Sequence, residues 1–253
     1  MHTMVGFLED IDPAAAAVNI TALQDDHIFT QGDDLRVPTL NQILAVAGGI
    51  SILGTFGLRL ESPSLRDINR LVVNPVNHLA DSDAEPSDPI ALLDLSQHPR
   101  RLTTDEILQC VIDTNPAAAA DQWAILVMGD GVQSQAQGEI ITVRATGTTT
   151  VVARAWDSVA LTFDDALPVG RYAVVGLRFI SATAIAARLV FKPGAWRPGC
   201  IGVDSELSQD HPLFRMGRLG VWGEFASVTP PDIEVLCDVA DTAQTFFLDL
   251  IPL

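Results

Sequence analysis

From Trp123 onward the chain is a succession of short apolar segments cut by turn residues, with no helical stretch between them, and few folds accommodate that pattern. The segments 122–128, 139–146, 149–156, 158–163, 171–180, 183–191, 218–225, 233–239 and 243–250 read as strands. Gly129-Asp130-Gly131, Gly147, Asp164-Asp165, Pro168-Val169-Gly170 and Pro230-Pro231 separate them. Glycine admits positive φ and proline fixes φ, so each cluster turns the chain. Short strands at turn spacing bury their apolar faces sheet against sheet. The expected fold class is all-β: an antiparallel β-sandwich of jelly-roll type with eight or nine strands, an N-terminal arm and a few short helices.

Two consecutive strands carry a register argument. Ala173, Val175, Leu177 and Phe179 form one face of the first, and Ile185, Ala187, Leu189 and Phe191 one face of the second. The two are expected to form a hairpin, in which facing residues have a constant sum, and all these numbers are odd. The apolar faces then match only across an odd-length loop such as Ser181-Ala182-Thr183. The opposite faces carry Arg178 and Arg188 among small apolar residues, and earlier strands repeat the habit with Arg144 and Arg154. Such a face suits packing against another element or subunit, where arginine is favoured. Pro193-Gly194-Ala195-Trp196-Arg197-Pro198-Gly199 opens a long connection over 192–217 and reads as an ordered loop. Arg144, Arg154, Arg178, Arg188, Trp196 and Arg197 are therefore the candidate subunit-contact residues. Local pairing of each arginine is the alternative.

The first half reads differently. Residues 1–36 hold seven acids and one basic residue, Arg36, and no long period runs through them, so they are expected as an extended acidic arm. Residues 37–121 are expected as a helical and irregular region, and 122–253 as the sandwich. Over 38–58 a helix is expected, because Leu40, Ile43, Leu44 and Ala47 follow the i, i+3, i+4, i+7 spacing. A second helix is expected from Ser62, with Pro63 at its first position and Leu65, Ile68, Leu71 and Val72 on one face. A third is expected after Thr103-x-x-Glu106, a capping box ahead of Ile107, Leu108 and Val111. Residues 80–101 read as an irregular linker.

Composition narrows the function. Hydrophobic residues make up 48% and mean hydropathy is +0.27, yet the formal charge is −17. Apolar excess beside strong acidity points to more buried surface than a monomer needs, some of it between subunits. Lys192 is the only lysine, a bias that a halophilic or a GC-rich source would both produce. The acidity argues against direct nucleic-acid binding, which needs clustered Lys and Arg. Met1–Asp12 has no basic n-region, so no signal peptide is expected. Membrane contact through 43–58 is a minor alternative, since 16 residues with four glycines fall short of a spanning helix.

No motif for catalysis stands out. There is no G-x-S-x-G elbow, no CxxC and no ligand-spaced histidine pair. Cys110, Cys200 and Cys237 read as buried thiols. Glu139, Glu224 and Glu234 lie on or beside strands and read as rim charges; Trp123, Trp156, Trp196 and Trp222 read as packing rather than sugar platforms. No cofactor is implied. Calcium suits the oxygen ligands of Asp25-Asp26, Asp33-Asp34 or Asp81-x-Asp83-x-Glu85, but no EF-hand glycine or terminal Glu completes a loop.

Gly170-Arg171-Tyr172-Ala173-Val174-Val175-Gly176, then Ala186-Ala187-Arg188-Leu189-Val190-Phe191, then Arg197-Pro198-Gly199, resemble coat proteins of small tailless icosahedral viruses of microbes over roughly the last 130 residues. The resemblance implies a jelly-roll shell subunit that tiles a lattice, with an N-terminal arm under its neighbours. It implies copies of itself and other virion proteins as partners, and assembly in the host cytoplasm into the virion. One departure is the acidity of residues 1–36, where coats that pack single-stranded RNA usually have a basic arm. The expected function is a self-assembling capsid subunit without enzymatic activity. The alternative is a non-catalytic surface or carbohydrate-binding β-sandwich module.

Overall fold

The computed structural model describes residues 1–11, 18–25, 27–50, 57–66, 70–73, 92–112, 118–192, 194–208 and 210–253. They form two compact units, an N-terminal one of Met4–Asp130 and a C-terminal one of Gly131–Leu253 with Met1–Thr3. Both are all-β.

The strands of the first half are β1 (His2–Ile11), β2 (Asn19–Ile20), β3 (Phe29–Gln31), β4 (Asp34–Arg36), β5 (Gln42–Ile50), β6 (Leu58–Glu61), β7 (Leu71–Val73), β8 (Leu92–Asp94), β9 (Arg100–Arg101), β10 (Gln109–Ile112) and β11 (Ala120–Gly129). One sheet has the order β1-β11-β5-β8, with β9 continuing β8 along β5, and the other has the order β2-β10-β6-β7. β3 and β4 form a separate hairpin.

In the second half follow β12 (Ile141–Gly147), β13 (Asp157–Val159), β14 (Thr162–Phe163), β15 (Arg171–Ile180), β16 (Ala184–Val190), β17 (Gly199–Val203), β18 (Gly223–Ala226), β19 (Asp232–Cys237) and β20 (Gln244–Pro252). One set of neighbours is β12-β20-β15-β18 and the other β13-β19-β16-β17. A short parallel pairing of β17 with β15, at Phe179–Gly202 and Ile180–Val203, joins them into one curled sheet.

The two units share one topology. In the N-terminal unit, take β1, β2, β5, β6, β7, β8, β10 and β11 as strands one to eight; in the C-terminal unit, take β12, β13, β15, β16, β17, β18, β19 and β20. Both then have sheets of order 1-8-3-6 and 2-7-4-5. Every connection except that from strand four to strand five passes from one sheet to the other, which is the order of a jelly roll. The chain is two jelly rolls in tandem.

This corrects the expectations for the first half. The span expected as a helix over 38–58 supplies β5, buried along its whole length, and the start of β6. A fully apolar run has no face to alternate, so its period cannot separate a buried strand from a buried helix. Gly48-Gly49, expected to end that helix, lies inside β5, where Gly49 faces Trp123 across the ladder. The Ser62-Pro63 start opens a 3-10 turn, Pro63–Leu65; of the expected helix face, Leu71 and Val72 lie in β7 and Ile68 lies outside the described residues. Thr103 N–H does donate to Glu106 (2.7 Å), as a capping box requires, yet only a turn follows and the chain enters β10. Within the expected linker, β8 and β9 pair with β5, and residues 80–91 lie outside the described residues. Residues 1–36, expected as an arm, contribute β1 to β4, and Met4 and Phe7 have no exposed surface. The boundary falls at Asp130/Gly131 rather than before residue 122, because β11 closes the first roll.

In the second half β15 and β16 flank a three-residue loop, 181–183, but they are not a hairpin. β15 pairs with β17, β18 and β20, whereas β16 pairs with β17 and β19. The constant-sum argument fails because the connection crosses between sheets. Residues 149–156 form no strand: Ala153 makes an isolated bridge to Cys237, and Arg154 turns the chain at φ 62°. The connection 192–217 contains β17 and a second 3-10 turn, Pro212–Phe214. No helix among the described residues is long and apolar enough to cross a membrane.

Candidate functional site

A dense polar constellation gathers on one sheet of the C-terminal unit. Asp249 lies mid-strand in β20 with no exposed surface, opposite Thr142 of β12 and Gly176 of β15. Arg215 grips it twice, Nε to Oδ2 at 2.7 Å and Nη2 to Oδ1 at 2.9 Å. Thr142 Oγ1–H donates to Oδ1 (2.8 Å) and Met216 N–H to Oδ2 (3.0 Å). Burial pushes the Asp249 carboxyl up, but the hydrogen bonds from Arg215, Met216 and Thr142 outweigh it and hold the group below the ordinary carboxylate range. The site depends on Gly176: a Cβ there would lie 2.5 Å from Asp249 Oδ2. β15 is irregular at this point, its register shifting between Val174 and Gly176, and Gly217 N–H donates to Val175 O (2.7 Å).

Arg178 extends this network. Its Nε lies 2.6 Å from Asp210, which also pairs with Arg215, and its Nη2 donates to the carbonyls of Glu206 (3.1 Å) and Ser208 (2.8 Å). Arg144 meets Asp164 at 3.0 Å and Glu206 at 3.9 Å. Arg144 and Arg178 thus converge on Glu206, beside which Leu207 is 76% exposed.

The other candidate contacts lie elsewhere. Arg188 of β16 is buried opposite Glu234 of β19, Nε to Oε2 at 2.6 Å, with its guanidinium 4.1 Å from the Trp156 ring centroid. Arg197 is buried, donating to Gly194 O (2.7 Å), and its backbone N–H donates to Thr3 Oγ1 (3.0 Å). Trp196 is half-buried and Arg154 exposed. The structure therefore brings two of the six residues together and gives Arg144, Arg178 and Arg188 acidic partners within their own unit.

Sequence reasoning missed Arg215, Asp210 and Asp249. A signal existed for the last: Asp249 is a lone acid inside the apolar run Phe246–Ile251, and a buried carboxylate requires a partner. Of the earlier candidate carboxylates, Glu224 pairs with Arg171 (2.6 Å). These two, with the Lys192–Asp232 pair, line a half-open cleft of about 550 Å³ floored by Phe191, Phe225, Pro230 and Pro231. Trp123 is fully buried, and Trp222 meets His2 edge-on at 5.1 Å. The three cysteines are buried free thiols; burial pushes Cys237 up to about 11 and Cys200 higher still.

Of the acidic clusters, Asp33 and Asp34 accept hydrogen bonds from Gln109, and Asp33 one from Asn19. Asp26 and residues 81–85 lie outside the described residues. Among the described residues no group of three or more His, Cys, Asp or Glu converges as a metal site.

No family model matches the chain, and no curated protein matches it. Among solved structures, the major capsid protein P2 from Bacteriophage PM2 aligns over 100% of this chain and 98% of its own, at 13% identity and a TM-score of 0.25. A likeness that slight fixes neither fold nor function.

Proposed function

We propose that this chain is a structural shell subunit, a virion coat protein that assembles with copies of itself into a closed capsid and turns over no substrate. The observation that carries the reading is the tandem repetition of one eight-strand jelly roll. Jelly rolls serve as shell blocks, lectins and cupins. The interiors of these rolls are filled: Trp123, Ile43 and Ile50 in the first, Phe179, Phe246 and Leu248 in the second, all with no exposed surface. Filled rolls leave loops, edges and outer faces for contact, which suits tiling. The charge of −17 then sets the conditions of assembly, since like-charged copies repel unless salt screens them.

The test is to purify the chain and follow particle size by light scattering and electron microscopy as ionic strength and calcium are raised. Closed particles of uniform size are expected at high salt or with companion virion proteins. A monomer under every condition sinks the reading. The carbohydrate-binding alternative keeps one observation in its favour, the cleft beside Phe225, and a glycan-array signal lost on Phe225→Ala would favour it.

A further inference from the structure

At the edge of the 2-7-4-5 sheet of the N-terminal unit lies a pocket unlike the rest of this acidic chain. Its cavity of about 260 Å³ is lined by Arg59, Glu61, Leu65, Arg66 and Arg70. Among the described residues, three of the chain's 15 cationic residues thus share one pocket with one carboxylate, while the whole chain has 32 acids. The fold produces this. Antiparallel pairing of β6 with the edge strand β7, through Leu58–Val73, Arg59–Val72 and Leu60–Leu71, brings Arg70 to the end of the ladder beside Glu61. The 3-10 turn Pro63–Leu65 then carries Arg66 round to the same place, over a buried Leu65. Glu61 is committed to Arg59, Oε1 to Nη2 at 2.5 Å and to Nε at 2.8 Å. Arg66 and Arg70 are exposed, and neither makes an ion pair among the described residues. Elsewhere Arg144, Arg171, Arg178, Arg188, Lys192 and Arg215 each have an acidic partner within their own unit.

We infer that this pocket receives carboxylate side chains of a second copy of the same chain. The inference rests on the shell-subunit reading and names one of its contacts. Charge complementarity selects the occupant: copies of net charge −17 repel except where cations of one face acids of the next. Guanidinium groups suit the task because they bind carboxylates in a fixed two-pronged geometry.

The experiment compares full-length wild type with Arg66→Glu/Arg70→Glu and with Arg66→Lys/Arg70→Lys by sedimentation velocity across a salt series. Circular dichroism melts confirm that the variants fold. The glutamate variant is expected to associate at least about tenfold more weakly than wild type, with the lysine variant between the two. Unchanged association of the glutamate variant, with wild type assembling, overturns this contact and leaves the shell reading standing. A wild type that never assembles overturns both. Inorganic phosphate is titrated calorimetrically into wild type and the glutamate variant. Heat lost in the variant while its association stays unchanged reassigns the pocket to a free oxyanion and overturns the proposal.

Discussion

Arg215 and Asp249 form a two-pronged ion pair whose acidic member has no solvent-exposed surface. Removing one partner of such a pair leaves an uncompensated buried charge, which costs about 3–5 kcal/mol. Arg215→Ala is therefore expected to lower the stability of the C-terminal unit by about that amount, measured by urea denaturation. Asp249→Asn is expected to cost less, because the amide oxygen keeps one acceptor for Thr142 or Arg215. The pair also sets a pH dependence. Asp249 has a depressed folded pKa, so its contribution is present above the ordinary carboxylate pKa and is lost as pH falls below it.

A second carboxylate produces an acid limit in the N-terminal unit. Glu106 accepts from Ser62 Oγ (2.6 Å), Ser64 Oγ (2.6 Å), Thr103 N–H (2.7 Å) and Ser64 N–H, tying the 3-10 turn to the turn before β10. Burial pushes the carboxyl up, but these bonds prevail and bring it down from 4.5 to about 2. The sign follows: the folded value lies below the unfolded one, so the stabilisation is full above 4.5 and disappears as pH falls from there to about 2. Glu106→Gln is expected to cost about 1–2 kcal/mol at neutral pH, discounted for solvent access to the carboxylate. It should flatten the stability profile between those pH values. A variant with the wild-type acid profile rules out the clamp.

Gly49 has a steric role rather than a helix-ending one. A Cβ at this position would lie 2.0 Å from Trp123 Cζ2, and Trp123 is fully buried. Gly49→Ala must displace the indole or spread β5 from β11, so it is expected to destabilise the first roll by about 1–3 kcal/mol. Calorimetry measures the loss, and a red-shifted tryptophan emission would report the displaced ring.

The second roll was largely legible because its strands are cut by proline and glycine turns, as at Pro168-Val169-Gly170 before β15 and Pro230-Pro231 before β19. The first roll was not, for two physical reasons. β5 is buried along its whole length, so Leu40, Ile43, Leu44 and Ala47 satisfied a helical spacing by being apolar everywhere. The capping signals at Ser62 and Thr103 were real local chemistry without a helix behind them, since such side chains close isolated turns as readily as they start helices. The tandem repeat left no trace in the sequence, because strand order is a property of long-range pairing. The arginines stand out in the sequence among small apolar neighbours, but their partners, Glu234 for Arg188 and Asp210 for Arg178, lie 46 and 32 positions away and only the pairing of strands and loops reveals them.

Those partners make the arginines separable by experiment. Arg188 is 3% exposed, hydrogen-bonded to Glu234 at 2.6 Å and placed over Trp156 at 4.1 Å. Its guanidinium is thus desolvated, paired and stacked within one unit. Arg188→Ala would strand Glu234 and uncover Trp156, so it is expected to lower the melting temperature of the unassembled subunit by several degrees, consistent with about 2–4 kcal/mol. Arg188→Lys keeps the charge but loses the planar stack, and should fall between the two. Arg144 makes the contrast: its side chain is 44% exposed and its pair with Asp164 is solvated, so Arg144→Ala should leave the melting temperature within about 1 °C of wild type. If Arg144→Ala instead leaves folding intact and weakens particle formation, Arg144 belongs to a contact between copies. An Arg188→Ala subunit that melts like wild type would overturn its assignment to the core of one unit.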